Sequence, residues 1–483
     1  MKSVASLHLR KASLLVLTIL TLLSSHSRAQ MTIEVTGLPQ LTPLFDTLYM
    51  TGSFNNWAPG EEDYALAASL TGSWEVQING SVGETIEFKF TRGNWETVEG
   101  NAAGGFLPDR SAVYVPNATL QVQIQGWEDI AGNHSVTPHM RILDSNFHIP
   151  QLNRDRRIWI CLPDDYESSS ADYPVWYMHD GQNLFDSATS FAGEWGADEV
   201  MAELPVDFCR SIIVGIDNGG ADRINELAPW YNQSYDAGGE GAQYAQFIIN
   251  TLKPFVDIHF RTLPQREHTA TAGSSLGALI CAYMLLEHSD VFGQAGLLSP
   301  AFWFNHDPLM ALASNADLPS DSRVYLIAGQ NESGTMVPHM NEMRDHLLGA
   351  GIPADQIALV SDPQGAHSEW FWAESFPEVY SFLASCSGPT SISENPDTRW
   401  LAYPNPAGDL LTIQGPEEFI GRAVIRDSSG KIILEKGIAA SPSATLPIEI
   451  GSLASGGYFC EVIPSGGAVE YTRGRLLFSF IKK

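Results

Sequence analysis

The stretch Thr269-Ala-Thr-Ala-Gly-Ser-Ser-Leu-Gly-Ala-Leu-Ile280 constrains this chain more than any other. Within it, Gly273-Ser-Ser-Leu-Gly277 fits Gly-x-Ser-x-Gly, a pattern that holds a serine at a sharp turn between a strand and a helix. The backbone at such a turn is crowded, so its neighbours must be small. Small and β-branched residues lead in from Thr269, and residues 278–286 leave with a helical, apolar character. Only Ser275 sits centrally between the two glycines; Ser274 is a bystander. A serine in this position needs a base and an acid, which the rest of the chain must supply.

The surroundings suit it. Residues 157–162, 174–178, 211–216, 269–272, 296–298 and 324–327 are compact apolar runs, separated in places by helical patterns such as residues 244–252. Short apolar strands alternating with helices predict a mostly parallel sheet covered by helices on both faces, an α/β-hydrolase type of core. The serine then falls at the end of a strand, where such sheets place their sites.

In that arrangement the partners follow the serine as acid, then histidine. His288 and His306 come too early, and His339 and His346 lie in the helical stretch 337–348. His367 sits in the loop Asp362-Pro-Gln-Gly-Ala-His-Ser-Glu-Trp370, after the apolar residues 357–360 and before a helix. It is the expected base. The acid should leave the preceding strand, residues 323–329, which makes Glu332 the expected partner and Asp362 the alternative. The oxyanion would be held by the N–H of Leu276 and by that of Gln182 (or Asn183), with Gly181 expected to permit an unusual backbone.

At 483 residues the chain should hold about three domains. Hydrophobic residues make up 44% and charged residues 17%, enough to bury cores. The formal charge of −29, from 27 basic and 56 acidic residues, repels phosphate backbones and disfavours a nucleic-acid partner. Lys2, Arg10 and Lys11 precede an apolar run at residues 14–23, and Ser27-Arg-Ala29 offers a cleavage site, so residues 1–29 read as a signal peptide. No transmembrane segment is expected in the mature protein. The cysteines at 161, 209, 281, 386 and 460 have no metal-like spacing, and no metal site or cofactor is expected. Cys281, on the helix after the serine, reads as a small buried apolar residue.

The flanks are β-rich. Residues 30–127 carry short alternating segments and read as a β-sandwich. Gly52-Ser-Phe-Asn-Asn-Trp57, Ser73-Trp-Glu-Val76 and Phe88-Lys-Phe-Thr-Arg-Gly-Asn-Trp-Glu-Thr-Val-Glu-Gly-Asn101 resemble starch- and glycogen-binding modules. That resemblance implies a sugar site made of Trp57, Lys89, Trp95 and Asn101, while Trp74, alternating with Val76 and Ile78, reads as core. Residues 128–152 read as a linker. Tyr173-Pro-Val-Trp-Tyr-Met-His-Asp-Gly-Gln-Asn-Leu-Phe-Asp186, Val214-Gly-Ile-Asp-Asn-Gly-Gly220, Ala272-Gly-Ser-Ser-Leu-Gly-Ala278 and Gly365-Ala-His-Ser-Glu-Trp370 then resemble the putative-esterase family, which includes esterase D-like, enterochelin esterase-like and feruloyl or acetyl-xylan esterases. The resemblance spans residues 153–385 and implies a serine esterase using Ser275, Glu332 and His367. It leaves Trp195, Trp230 and Trp303 open between packing and lining a substrate pocket.

After a polar linker at residues 386–399, short strands resume in residues 400–483, a second β-sandwich. Tyr403-Pro-Asn-Pro-Ala-Gly-Asp409, Asp427-Ser-Ser-Gly-Lys431 and Leu453-Ala-Ser-Gly-Gly-Tyr458 resemble the C-terminal sorting domain of type IX secretion substrates. The implied partner is the secretion machinery of a Gram-negative cell, and the implied location is secreted or surface-attached. The expectation is therefore an exported serine esterase acting on a glycan-linked ester. The alternatives are a siderophore esterase and a surface carbohydrate-binding protein with an inactive hydrolase body.

Overall fold

Alternation along the central strands decides how the large sheet is covered. Along the strand Val175–His179, Val175 and Tyr177 point into one apolar cluster while Trp176 and Met178 point into another. The next strand, Ile212–Ile216, does the same with Ile212 and Val214 against Ile213. A strand buried on both sides must be apolar throughout, which is why these segments read as continuous runs.

The computed structural model describes residues 30–69, 72–205 and 208–384, and farther on 401–403, 410–414, 421–427, 432–438, 445–453, 456–464 and 476–482. The expected signal peptide and the linker at 386–399 lie outside the described residues. The chain divides into two compact units, residues 1–384 and 385–483.

The large sheet has eight strands: β1 (Met140–Ile149), β2 (Arg154–Cys161), β3 (Val175–His179), β4 (Ile212–Ile216), β5 (Thr269–Ser274), β6 (Gln294–Leu298), β7 (Arg323–Gly329) and β8 (Ile357–Asp362). They lie in the order β1-β2-β4-β3-β5-β6-β7-β8. β1–β2 and β2–β4 are antiparallel and every other pair is parallel. The sheet thus begins inside the segment read as a linker. In β1, Asp144, Ser145 and Asn146 interrupt the apolar pattern, and the register with β2 shifts around Asp144, so no clean alternation marks the strand.

Four helices frame the site. α1 (Ala197–Glu203) and α4 (Glu369–Leu383) pack into one cluster, through Ala197, Met201, Phe371, Phe376 and Leu383. α2 (Leu276–Glu287) and α3 (Met336–Gly349) pack into the other. α2 is buried at every position but its last, as a helix apolar on all sides must be. On α3 the burial follows Met336, Met340, Met343 and Leu347, one face at helical spacing.

Ahead of the sheet, Met31–Val35 pairs antiparallel with Trp74–Ile78 and parallel with Thr119–Val122. A second small sheet joins Tyr49–Gly52, Thr85–Thr91 and Arg110–Val113. One apolar cluster takes Ile33, Met50, Ile78, Phe88 and Phe90 from these segments, together with Trp127. Val76 and Ile78 are buried, whereas Trp74 is only partly buried at the margin of the cluster. In the second unit Gly421–Asp427 pairs with Ile432–Ile438 and with Gly456–Pro464, which pairs with Leu476–Lys482.

Candidate active site

Ser275 takes φ 56° and ψ −117° between β5 and α2. For a residue with a side chain this backbone region costs roughly 1–3 kcal/mol, so the surroundings must impose it. They do so by close approach. A Cβ on Gly273 would stand 2.9 Å from the carbonyl carbon of Gly277, so only glycine lets the strand end and the first helical turn touch. The Ser275 N–H donates to the Leu298 carbonyl at 2.9 Å, and its own carbonyl accepts from Ala301 N–H at 3.0 Å. The serine is therefore stitched to the exit of β6.

That exit carries Ser299, fully buried, with a positive φ of 43°. Its hydroxyl donates to Glu332 Oε1 at 2.7 Å and accepts from the Trp372 indole N–H at 2.9 Å. The Gly329 N–H also donates to Glu332 Oε1, at 2.6 Å. The other carboxylate oxygen, Oε2, lies 2.8 Å from His367 Nδ1. Burial alone would raise the Glu332 pKa, but the hydrogen bonds from His367, Gly329 N–H and Ser299 together hold it below the usual carboxylate value. Glu332 thus stays ionised, and the His367 tautomer with hydrogen on Nδ1 leaves Nε2 free to accept a proton. The His367 ring stands edge-on to Trp372, with centroids 5.2 Å apart. The Gln330 N–H to Asp362 carbonyl bond, 2.7 Å, ties the loop of Glu332 to the loop of His367. Asp362, the other acid considered, instead accepts from the N–H groups of Gln364 and Gly365 and shapes its own turn.

Gln182 lies in the turn Gly181–Asn183 after β3, and Leu276 opens α2. Early helical N–H groups have no partner within the helix and are available to an anion. The positive φ of this loop belongs to Asp180 (58°) rather than to Gly181. Asp180 is held there by a two-pronged contact from Arg223 (2.6 and 2.8 Å) and by Asn218 Nδ2 (2.7 Å). Burial would raise its pKa, yet Arg223 and Asn218 hold it low. Gly181 is needed for a different reason: a Cβ there would lie 2.8 Å from the Gly215–Ile216 backbone.

Beneath the serine runs a buried polar chain. His179 Nδ1 meets the Tyr244 hydroxyl at 3.0 Å, His179 Nε2 meets Thr271 Oγ1 at 3.3 Å, and Thr271 Oγ1 meets Cys281 Sγ at 3.2 Å. Desolvation lowers the His179 pKa to about 4, so this imidazole is neutral near pH 7. Burial pushes the Cys281 thiol up, which keeps it a thiol. His179, Asp180, Asn218, Arg223, Ser299 and Trp372 are residues that sequence reasoning did not single out; His179 and Asp180 lay in the His-Asp-Gly segment and Asn218 in Asp-Asn-Gly, while Arg223, Ser299 and Trp372 carried no signal.

The tryptophans left open now separate. Trp195 is buried between Trp372 and Phe376, and Trp230 packs edge-on against Tyr283. Trp303 is 44% exposed. In the N-terminal region Trp57 and Trp95 lie together, ring centroids 6.3 Å apart, with Trp95 45% exposed. Lys89 is buried, donates to the Leu107 carbonyl and lies over the Phe106 ring. Asn101 accepts from Ala103 N–H and Gly105 N–H and donates to the Phe106 carbonyl. Both polar groups serve the segment 103–107.

Among the described residues one group of carboxylates has metal-like proximity: Glu194, Asp198 and Glu199, with oxygens within 4.8 Å of one another. Ser135 Oγ donates to Glu194 at 2.9 Å, and Thr137 N–H to Asp198 at 2.6 Å. Nearby, Asp186 meets His134 Nδ1 at 2.7 Å and Ser135 N–H at 3.2 Å. Together they clasp residues 134–137 onto the large domain. Burial and the Asp198 carboxylate raise the Glu199 pKa to about 8, so this pair carries a proton near neutrality.

Residues 149–378 match the family model described as Putative esterase, and residues 401–471 match that of the Secretion system C-terminal sorting domain. Residues 149–378 belong to the putative-esterase family. The protein is accordingly a carboxylic ester hydrolase, and its sorting domain marks it as secreted or attached to the cell surface. Among the described residues no helix is long and apolar enough to cross a membrane. The chain is 23% identical over 241 residues to the uncharacterized protein YbbA of Bacillus subtilis, covering 47% of this chain and 92% of YbbA. It is 28% identical over 148 residues to the esterase Rv1288 of Mycobacterium tuberculosis, 29% of this chain and 30% of that protein. It is also 32% identical over 94 residues to an alpha-amylase of Niallia circulans, 19% of this chain and 7% of the amylase.

Proposed function

We propose that this esterase works through acylation of Ser275, with His367 as general base and then general acid and Glu332 as the carboxylate that orients it. The observation that carries the reading is the 2.8 Å contact between His367 Nδ1 and Glu332 Oε2, with Glu332 held by Ser299, the neighbour of the Leu298 carbonyl that binds the Ser275 N–H. Ser275 Oγ attacks the ester carbonyl while His367 Nε2 takes its proton. The negative oxygen of the tetrahedral intermediate is held by the N–H groups of Leu276 and Gln182. Collapse breaks the carbon–oxygen bond to the alcohol, which leaves with the proton from His367. Water then attacks the acyl-serine by the same steps and frees the acid.

The substrate is a glycan-linked ester. The paired Trp57 and Trp95 suit stacking on a pyranose, in a small β-sandwich that tethers the enzyme to polysaccharide and raises the local concentration of its ester groups. The similarity to an alpha-amylase over 94 residues supports a glucan-related role for part of the chain. In this reading Trp57 and Trp95 make the contact, and Lys89 and Asn101 shape the adjoining loop.

The test is hydrolysis of 4-nitrophenyl acetate and of an ester panel of acetyl-xylan, feruloyl sugars and siderophore lactones, by wild type and Ser275→Ala. Wild-type turnover lost by at least a thousandfold in the variant is expected; equal rates refute the serine mechanism. Retardation in amylose gels that Trp95→Ala abolishes is expected of the sandwich.

A further inference from the structure

The chain that leaves β6 passes directly from the serine to an open aromatic cleft. Ala301 N–H bonds to the Ser275 carbonyl, and Trp303 follows two residues later, a span of at most about 7 Å of backbone. In the turn Phe302–Asn305 the two phenylalanines are buried and Trp303 alone faces out. Tyr235, 58% exposed, lies against it with its ring 5.5 Å from that of Trp303, and Tyr231, 57% exposed, lines the same cleft. Three exposed aromatic rings in one place are an unusual use of apolar surface, since water favours their burial.

Their positions are fixed from below. Asn305 Nδ2 donates to the Trp230 carbonyl at 2.9 Å, the Trp230 N–H donates to Asn305 Oδ1 at 3.3 Å, and Asn232 Nδ2 donates to the Phe304 carbonyl at 2.6 Å. These bonds lash the two segments together, so the rings are held ready rather than left to move. Between the segments is a cleft of about 330 Å³ whose lining includes Tyr231, Gln233, Trp303, His306 and Asp307. That volume is at the small end for ligand pockets and suits one or two rings.

The lining selects the ligand's chemistry. An aromatic or aliphatic acyl group would be best served by an apolar enclosure. This cleft instead combines ring faces with the Gln233 amide and the Asp307 carboxylate, the His306 ring nitrogens being taken by Asp307 and Glu342 at 3.0 Å each, and it is open to water. Ring faces match the C–H face of a pyranose, and the polar groups match its hydroxyls. We propose that the cleft is a glycosyl subsite, holding the sugar that carries the ester or its neighbour while Ser275 attacks. The inference rests on Ser275 being the nucleophile, and it assigns the specificity for sugar esters to Trp303 and Tyr231.

The probes are acetylated xylo-oligosaccharide, 4-nitrophenyl acetate and methyl ferulate, assayed with wild type, Trp303→Ala, Tyr231→Ala and Trp303→Phe. The ratio of kcat/KM for the sugar ester to that for the aryl ester should fall at least tenfold in Trp303→Ala and at least threefold in Tyr231→Ala. Most of it should return in Trp303→Phe, and the loss should lie in KM. An unchanged ratio in Trp303→Ala, or a wild type that cleaves the aryl ester but no sugar ester, overturns the subsite. So does a selective loss on methyl ferulate, which would make the cleft an aryl-acyl pocket. In each of these outcomes Ser275→Ala still abolishes aryl-ester cleavage. A Ser275→Ala that retains wild-type rates would instead overturn the nucleophile.

Discussion

Ser299 Oγ donates to Glu332 Oε1 over 2.7 Å, on the carboxylate oxygen opposite the one that faces His367. One acid is thereby gripped from two sides, and its side chain is 1% exposed. A carboxylate so enclosed keeps its charge only while its donors remain in place.

Replacing Glu332 by Ala should lower kcat about 10²–10⁴-fold with a smaller change in KM, as expected when an orienting carboxylate is lost. Ser299→Ala should lower kcat more modestly and cost about 1–3 kcal/mol of stability, because the Trp372 N–H and Glu332 each lose a buried partner. Because the folded pKa of Glu332 is depressed, its stabilisation is present above the unfolded carboxylate value and is lost as pH falls through the folded value. Urea unfolding of wild type and Glu332→Gln from pH 7 down to pH 3 reads this out; parallel curves would contradict it.

Gly273→Ala should damage the turn itself. Backbone stands where the new methyl would go, so a loss of about 1–3 kcal/mol is expected, together with a fall in kcat far beyond what the stability change explains. Steady-state kinetics beside thermal melting separates the two effects.

His179 should make the enzyme acid-sensitive. Its folded pKa of about 4 lies below the ordinary histidine value of 6.5, so the unfolded chain binds the proton first and stability falls as pH drops from about 6.5 toward 4. The full effect is roughly 3 kcal/mol at 1.36 kcal/mol per pKa unit. His179→Asn should flatten the pH dependence of the urea midpoint across that window, whatever its absolute stability.

Glu199 carries the opposite sign. A folded pKa raised to about 8 means that stability is lost as pH rises from the ordinary carboxylate value through 8. Glu199→Gln, which keeps a donor toward Asp198, should melt above wild type at pH 8, and the gap should close toward pH 4.5. A gap of constant size would show that the pair does not titrate in this range.

The strands of the parallel sheet were legible because burial on both faces demands unbroken apolar runs, which composition alone exposes. β1 was not legible. As an antiparallel edge strand with register shifts, it carries Asp144, Ser145 and Asn146 where a central strand would carry valine. Lys89 and Asn101 illustrate a second kind of limit. Their motif matched a sugar site, but the segment 103–107 draws on both side chains, and nothing local in the sequence announces that competition.

Around Ser275 the division is sharper. The sequence by itself determined that a serine stands between two glycines at the end of a strand, with a histidine and acidic candidates in the right order, because these depend on residue type and chain order. Only the tertiary structure decided that Glu332 rather than Asp362 meets His367, that Asp180 rather than Gly181 bends the β3 loop, and that Ser299 holds Glu332. Those are choices among groups of equal chemistry. They are settled by which loops the sheet brings within hydrogen-bond reach, about 3 Å, and by which buried polar groups would otherwise go unpaired.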